Sequence, residues 1–80
     1  MKNVSYIELY DLFIEEVSKI DNLHQFCIDN QLEKQYTLIV KLKNRTVHKK
    51  FTIIITNVLE KLGYTVEGVH LFEVLPRLDK

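Results

Sequence analysis

Apolar positions recur along this chain with a helical or a strand period, and together they predict five elements. Ser5 and Glu8 form a capping box: the serine hydroxyl accepts from the backbone three residues on, and the glutamate reaches back to the N–H of Ser5. Val4 and Leu9 stand where a hydrophobic staple belongs. Tyr6, Leu9, Tyr10, Phe13, Val17 and Ile20 follow at helical spacing, with Glu8, Asp11 and Glu15 on the opposite side. Acids near the start of that helix suit its dipole. Asp21 is the expected N-cap of a second, shorter helix that carries Leu23, Phe26 and Cys27 inward and stops at Asn30.

From Tyr36 to Lys43 the pattern changes to alternation. Tyr36, Leu38, Val40 and Leu42 fall on one face of a predicted strand; Thr37, Ile39, Lys41 and Lys43 fall on the other. The stretch 46–62 carries two conflicting signals. Phe51, Ile54, Ile55, Val58, Leu59 and Leu62 fit a helix, and Gly63 is a natural residue to end it. Thr52 to Thr56, however, is an unbroken β-branched run that suits a strand, with a hairpin at Asn44–Arg45 and a short helix from Thr56 as the rival. Packing periodicity outweighs propensity, so one long helix is preferred. Tyr64–Val66 and Val69–Leu75 are expected strands, with Glu67–Gly68 a turn or bulge, Pro76 a stop and 77–80 a frayed tail. The resulting expectation is an α+β fold of order α-α-β-α-β, the last element open to being a hairpin, with helices packed on a small sheet.

Composition narrows the class. Eighty residues with 46% apolar side chains make one folded domain, 1–80, rather than a disordered chain. A single cysteine, Cys27, cannot form an internal disulfide, and Met1–Ser5 lacks the features of a signal peptide. No apolar run approaches the roughly 20 residues that span a bilayer, so a cytoplasmic protein with no membrane partner is expected.

Net charge is zero, yet its distribution is uneven. Residues 1–33 sum to −5, residues 34–50 to +6, and residues 51–80 to −1. The most informative segment is 41–50, where Lys41, Lys43, Arg45, His48, Lys49 and Lys50 occur with no acid among them. In the expected fold Lys49 and Lys50 oppose the dipole near a helix start, which points to a role other than folding. Phosphate contact is one use of such a cluster; pairing with the acidic first helix is the alternative, and the two stay open. Glu8, Asp11 and Glu15 form an exposed acidic face that either is simply solvated or docks on a basic partner.

Chemical motifs are sparse. His24 and Cys27 share a helix face but supply at most half of a zinc site, and Cys27 between Phe26 and Ile28 is expected to be buried and inert. No phosphate loop, HExxH or GxSxG occurs, so no cofactor and no catalytic role are expected. In length, in this want of a catalytic motif and in its Ile-, Lys- and Asn-rich composition, the chain resembles the short proteins encoded by phages and other mobile elements, anti-CRISPR inhibitors among them. That resemblance implies a stoichiometric binder that blocks a larger nucleic-acid-handling enzyme, either at a channel for nucleic acid or by spoiling the loading of guide RNA. It assigns no residue.

Three functions follow as expectations. The first is an inhibitor or adaptor bound to a larger protein or nucleoprotein complex. The second is a small RNA- or DNA-binding protein contacting phosphates through 41–50. The third, an enzyme working through Cys27 or a histidine, ranks last. Tyr6 and Tyr10, taken as exposed aromatics, leave a homodimer open.

Overall fold

The computed structural model of the protein describes residues 2–47, 49–68 and 71–75. Its elements are β1 (Lys2–Val4), α1 (Tyr6–Ser18), α2 (Leu23–Asp29), a 3-10 turn (Glu33–Gln35), α3 (Tyr36–Lys43), α4 (Thr52–Lys61), β2 (Thr65–Gly68) and β3 (Phe72–Leu75). The class is α+β, as expected, but the order of elements is not α-α-β-α-β. His48, His70, the part of the last expected strand at 69–70, the expected stop at Pro76 and the expected tail at 77–80 lie outside the described residues.

Local chemistry explains most element boundaries. The capping box of α1 is complete: the Ser5 hydroxyl accepts from the Glu8 N–H at 3.3 Å, and the Ser5 N–H donates to Glu8 Oε1 at 3.0 Å. Leu9, Phe13 and Val17 then point inward and are fully buried. The cap of α2 is Asn22 rather than Asp21; its side-chain oxygen accepts from the Gln25 N–H at 3.0 Å. Asn30 ends that helix as expected.

Residues 36–43 are a helix, and this is the largest correction to the sequence reading. Alternation placed Ile39 among the solvent-facing lysines, whereas Ile39 and Leu42, three residues apart, are both fully buried. A short apolar-dense segment satisfies either period, and burial of both side chains against α1 and α2 selects the helical one. The stretch 46–62 matches neither expected alternative in full. The helical register holds, with Ile55, Val58 and Leu59 buried, but the helix begins only at Thr52. It cannot begin at Thr46, because α3 closes there: the Arg45 N–H donates to the Leu42 carbonyl and the Thr46 N–H to the Lys41 carbonyl. Gly63 ends α4 in the same way, at φ 103°, with the Tyr64 N–H donating to the Leu59 carbonyl.

The sheet is antiparallel, in the order β1-β3-β2. Val4, Val66, Phe72 and Val74 face the helices and are buried, while Asn3 and Glu67 are exposed on the strands that flank β3. β2 and β3 are therefore antiparallel partners, in register from Thr65 opposite Leu75 to Gly68 opposite Phe72. Gly68 has φ 119°, and a Cβ there would collide with the Leu71 carbonyl oxygen, so only glycine fits. β1 has no counterpart in the sequence reading. Three residues are too few to show a period, and Val4 served there only as a staple for α1.

Candidate functional site

Two helix starts meet at one end of the molecule. The Phe51 N–H, at the head of α4, donates to the hydroxyl of Tyr6, the first residue of α1, at 3.1 Å. The Lys50 ammonium lies 5.3 Å from the centroid of the Tyr6 ring. One turn further along α1, the Tyr10 hydroxyl donates to the Leu42 carbonyl in the last turn of α3. Arg45 completes the arrangement: its guanidinium pairs with Asp11 and sits 5.2 Å from the Tyr10 ring centroid. Burial pushes the Tyr10 hydroxyl above its ordinary pKa; nearby Tyr6 adds to this and Arg45 works against it. The segment after α3 is thus tied back onto α1 by two tyrosines, and the tyrosines taken as exposed are half-buried.

The candidate cations separate into three groups. Lys41 and Lys43 do not share a strand face. Two residues apart on a helix, they stand about 200° apart around its axis, Lys41 exposed and Lys43 half-buried. They occupy the last turn of α3, where cations suit the dipole, so they have a folding role the sequence reading did not give them. Arg45 is committed to Asp11 and Tyr10. Lys49 and Lys50 are exposed and precede Thr52, the first residue of α4. Among the described residues, Lys41, Lys43, Lys49 and Lys50 have no carboxylate partner.

The candidate acidic face is largely engaged. Glu8 is held by the Ser5 N–H, Asp11 by Arg45, and Glu15 stands 3.9 Å from Lys19. Glu16, next to Glu15, is buried and pairs with Lys19 at 3.2 Å. Internal pairing therefore accounts for Arg45 and Asp11, and leaves the lysines at the head of α4 unexplained.

The head of α4 is chemically distinctive. Its N-cap position is Phe51, and no side chain caps it among the described residues. The first N–H groups of a helix lack intrahelical acceptors and carry partial positive charge. A shallow concavity of about 430 Å³ opens here, lined by Lys49, Lys50, Phe51, Thr52, Ile53 and Ile54. Two ammonium groups beside free amide donors favour an anionic acceptor, either carboxylate or phosphate. A second concavity, lined by Asn30, Gln31, Leu32, Asn57, Glu60 and Lys61, is polar and of mixed charge.

The other sequence candidates lie elsewhere. The His24 ring lies tilted against that of Tyr36, with centroids 4.7 Å apart, and Cys27 is fully buried with its thiol pKa pushed up by desolvation. No cluster of three or more metal-ligating side chains occurs among the described residues, and none of the helices searched is long and apolar enough to cross a membrane. Sequence reasoning put Tyr6 and Tyr10 on the apolar stripe of α1 and took them as exposed aromatics open to a homodimer, so it missed them as clamps. No local signal could have found the clamp, since Asp11 and Arg45 lie 34 residues apart in the chain. Compared with protein-family models, with curated proteins and with solved structures, the chain matches none.

Proposed function

We propose that this protein is a non-enzymatic interaction module, an inhibitor or adaptor that docks on a larger protein or nucleoprotein complex through the basic segment leading into α4. One observation carries this reading: Lys49 and Lys50 stand before an uncapped helix start, where the dipole disfavours them, and no acid occurs between Lys34 and Leu59 to compensate. Such a cost to folding is retained where the charge meets a partner. The tyrosine clamps hold the segment in one shape before binding, which lowers the entropy lost on association. An inhibitor of the anti-CRISPR kind, acting in the cytoplasm, is the specific form that size and composition suggest.

A second reading rests on the same cations. Lys41, Lys43 and Lys49, each without a carboxylate partner among the described residues, are suited to RNA or DNA phosphates. One experiment separates the two. Tagged wild type and the Lys41→Glu/Lys49→Glu variant are used to capture partners from host extract, with and without nuclease. A stoichiometric protein partner that resists nuclease and is lost with the variant supports docking on protein. Capture abolished by nuclease, with a salt-steep electrophoretic shift on short RNA or DNA, supports the second reading. A partner retained by the variant rejects both.

A further inference from the structure

β3 is paired on both sides, whereas β1 and β2 are each paired on one and form the two edges of the sheet. β1 is three residues long and runs at once into Ser5, whose N–H and hydroxyl belong to the capping box of α1. β2 is not closed off in this way. Alternate residues of an antiparallel strand turn their N–H and C=O toward the partner, so half of the backbone groups of β2 point away from β3. Among the described residues, no backbone hydrogen bond reaches Thr65–Gly68 from outside the sheet. Such an edge is a template for a further strand.

Register sets two carboxylates side by side on the face turned away from the helices. Glu67 stands opposite Glu73, which has Asn3 opposite it on the other flank. Val4, Val66, Phe72 and Val74 are buried on the reverse face, where α4 packs on β2. Side chains opposed in this way approach to roughly 5 Å, and like charges there destabilise the pair. Among the described residues neither glutamate has an ion pair. The row Asn3–Glu73–Glu67 therefore reaches the open edge with its negative charge uncompensated, and the place beyond Glu67 suits a cation.

That charge selects the occupant. Phosphates are repelled by it. A second copy, pairing β2 with β2 about a two-fold axis with all helices on one side, overlaps most when centred on Val66 or on Glu67. The first register sets Glu67 against Thr65 and the second sets Glu67 against Glu67, so neither supplies a cation. We infer that the edge of β2 receives an extended segment of a partner protein as a fourth strand, with a lysine or arginine opposite Glu67 and an aliphatic residue alongside Val66. Main-chain hydrogen bonds give the affinity, and Glu67 selects the basic strand. β2 follows the C-terminal end of α4, so this surface is separate from the lysines at the head of that helix.

The test uses two short synthetic peptides, one with valine alternating with lysine and the other with valine alternating with glutamate. Each is titrated into ¹⁵N-labelled protein and followed by NMR. The lysine peptide is expected to shift the amides of residues 65–68 and to slow their hydrogen exchange. A strand pairs through one of its edges, so N-methylation of either the lysine or the valine amides, but not of both sets alike, should abolish binding. Glu67→Lys, which replaces a like-charged pair with an opposite one and is checked for folding by circular dichroism, should weaken the lysine peptide roughly fivefold and favour the glutamate peptide. Equal binding of the two peptides by wild type, binding of neither, the same response to both methylations, or indifference to Glu67→Lys overturns the assignment. A dimer in sedimentation that Glu67→Lys alters overturns it in favour of a second copy.

Discussion

The two helix starts that meet at Tyr6 and Phe51 are built on opposite principles. α1 begins with a serine–glutamate box that satisfies its free amides and places an acid where the dipole favours one. α4 begins with a phenylalanine and two preceding lysines, and no side chain caps it among the described residues. Both bury the helix behind them equally well: Leu9 and Phe13 in α1, Ile55 and Leu59 in α4, are fully buried. The difference lies at the surface. α1 is terminated for stability; α4 is held in place by its apolar face and by a borrowed tyrosine hydroxyl, so its end is free for another use.

Substitutions can break or sharpen this contrast. The largest effect removes what the two starts share. Phe13→Ala is expected to cost about 3–5 kcal/mol, a large part of the stability of so small a domain, measured by urea unfolding. Next comes Arg45, which has a left-handed φ of 57° and joins the segment to α1. Arg45→Ala loses the Asp11 and Tyr10 contacts but keeps the strain, for about 1–2 kcal/mol, whereas Arg45→Gly relieves the strain and stays within about 1 kcal/mol of wild type. If alanine proves no worse than glycine, the left-handed backbone at this position carries no strain; if alanine is as stable as wild type, the clamp contributes nothing.

Ser5→Ala should then cost about 1 kcal/mol, against under about 0.5 kcal/mol for Thr52→Ala at the head of α4. Equal losses would erase the contrast. Smaller and opposite in sign, Lys49→Glu should raise stability by about 0.3–1 kcal/mol while weakening capture of the partner. A variant that loses both stability and binding would show that Lys49 serves the fold after all.

At neutral pH the titration of Cys27 and Tyr10 changes nothing, which makes it the smallest effect. Both groups are neutral there, and burial raises both pKa values in the folded state. The unfolded chain therefore loses these protons first. The stability they contribute is complete at neutral pH and falls as pH rises from about 9, where an unfolded thiol ionises, toward the raised folded values. Urea midpoints at pH 7 and pH 10 should differ less in Cys27→Ala than in wild type. Wild-type Cys27 should also resist a thiol reagent at pH 7 until urea is added.

The candidate site was only partly legible. The unopposed cations of 41–50 stand out in the sequence, but which of them are free does not. Arg45 became a clamp because Asp11, 34 residues earlier, faces it across the fold. Lys41 and Lys43 became helix-terminal charges because their segment is a helix. Ile53 lies within a β-branched run but outside the helical stripe of Phe51, Ile54, Ile55, Val58, Leu59 and Leu62, and it is exposed.

What the sequence determined by itself is everything that depends on neighbours within one turn: the Ser5–Glu8 box, the inward stripes of α1 and α4, the stop at Asn30 and the close at Gly63. Those signals are local, and they survive in any fold. The tertiary structure decided the identity of 36–43, the delayed start of α4 and the existence of β1. In each case the local preference is weak or divided, and long-range burial tips it: Ile39 and Leu42 need a core on one side, and Lys2–Val4 becomes a strand only because β3, some 70 residues later, offers an edge. A segment whose propensities nearly balance takes the conformation that its distant neighbours bury best.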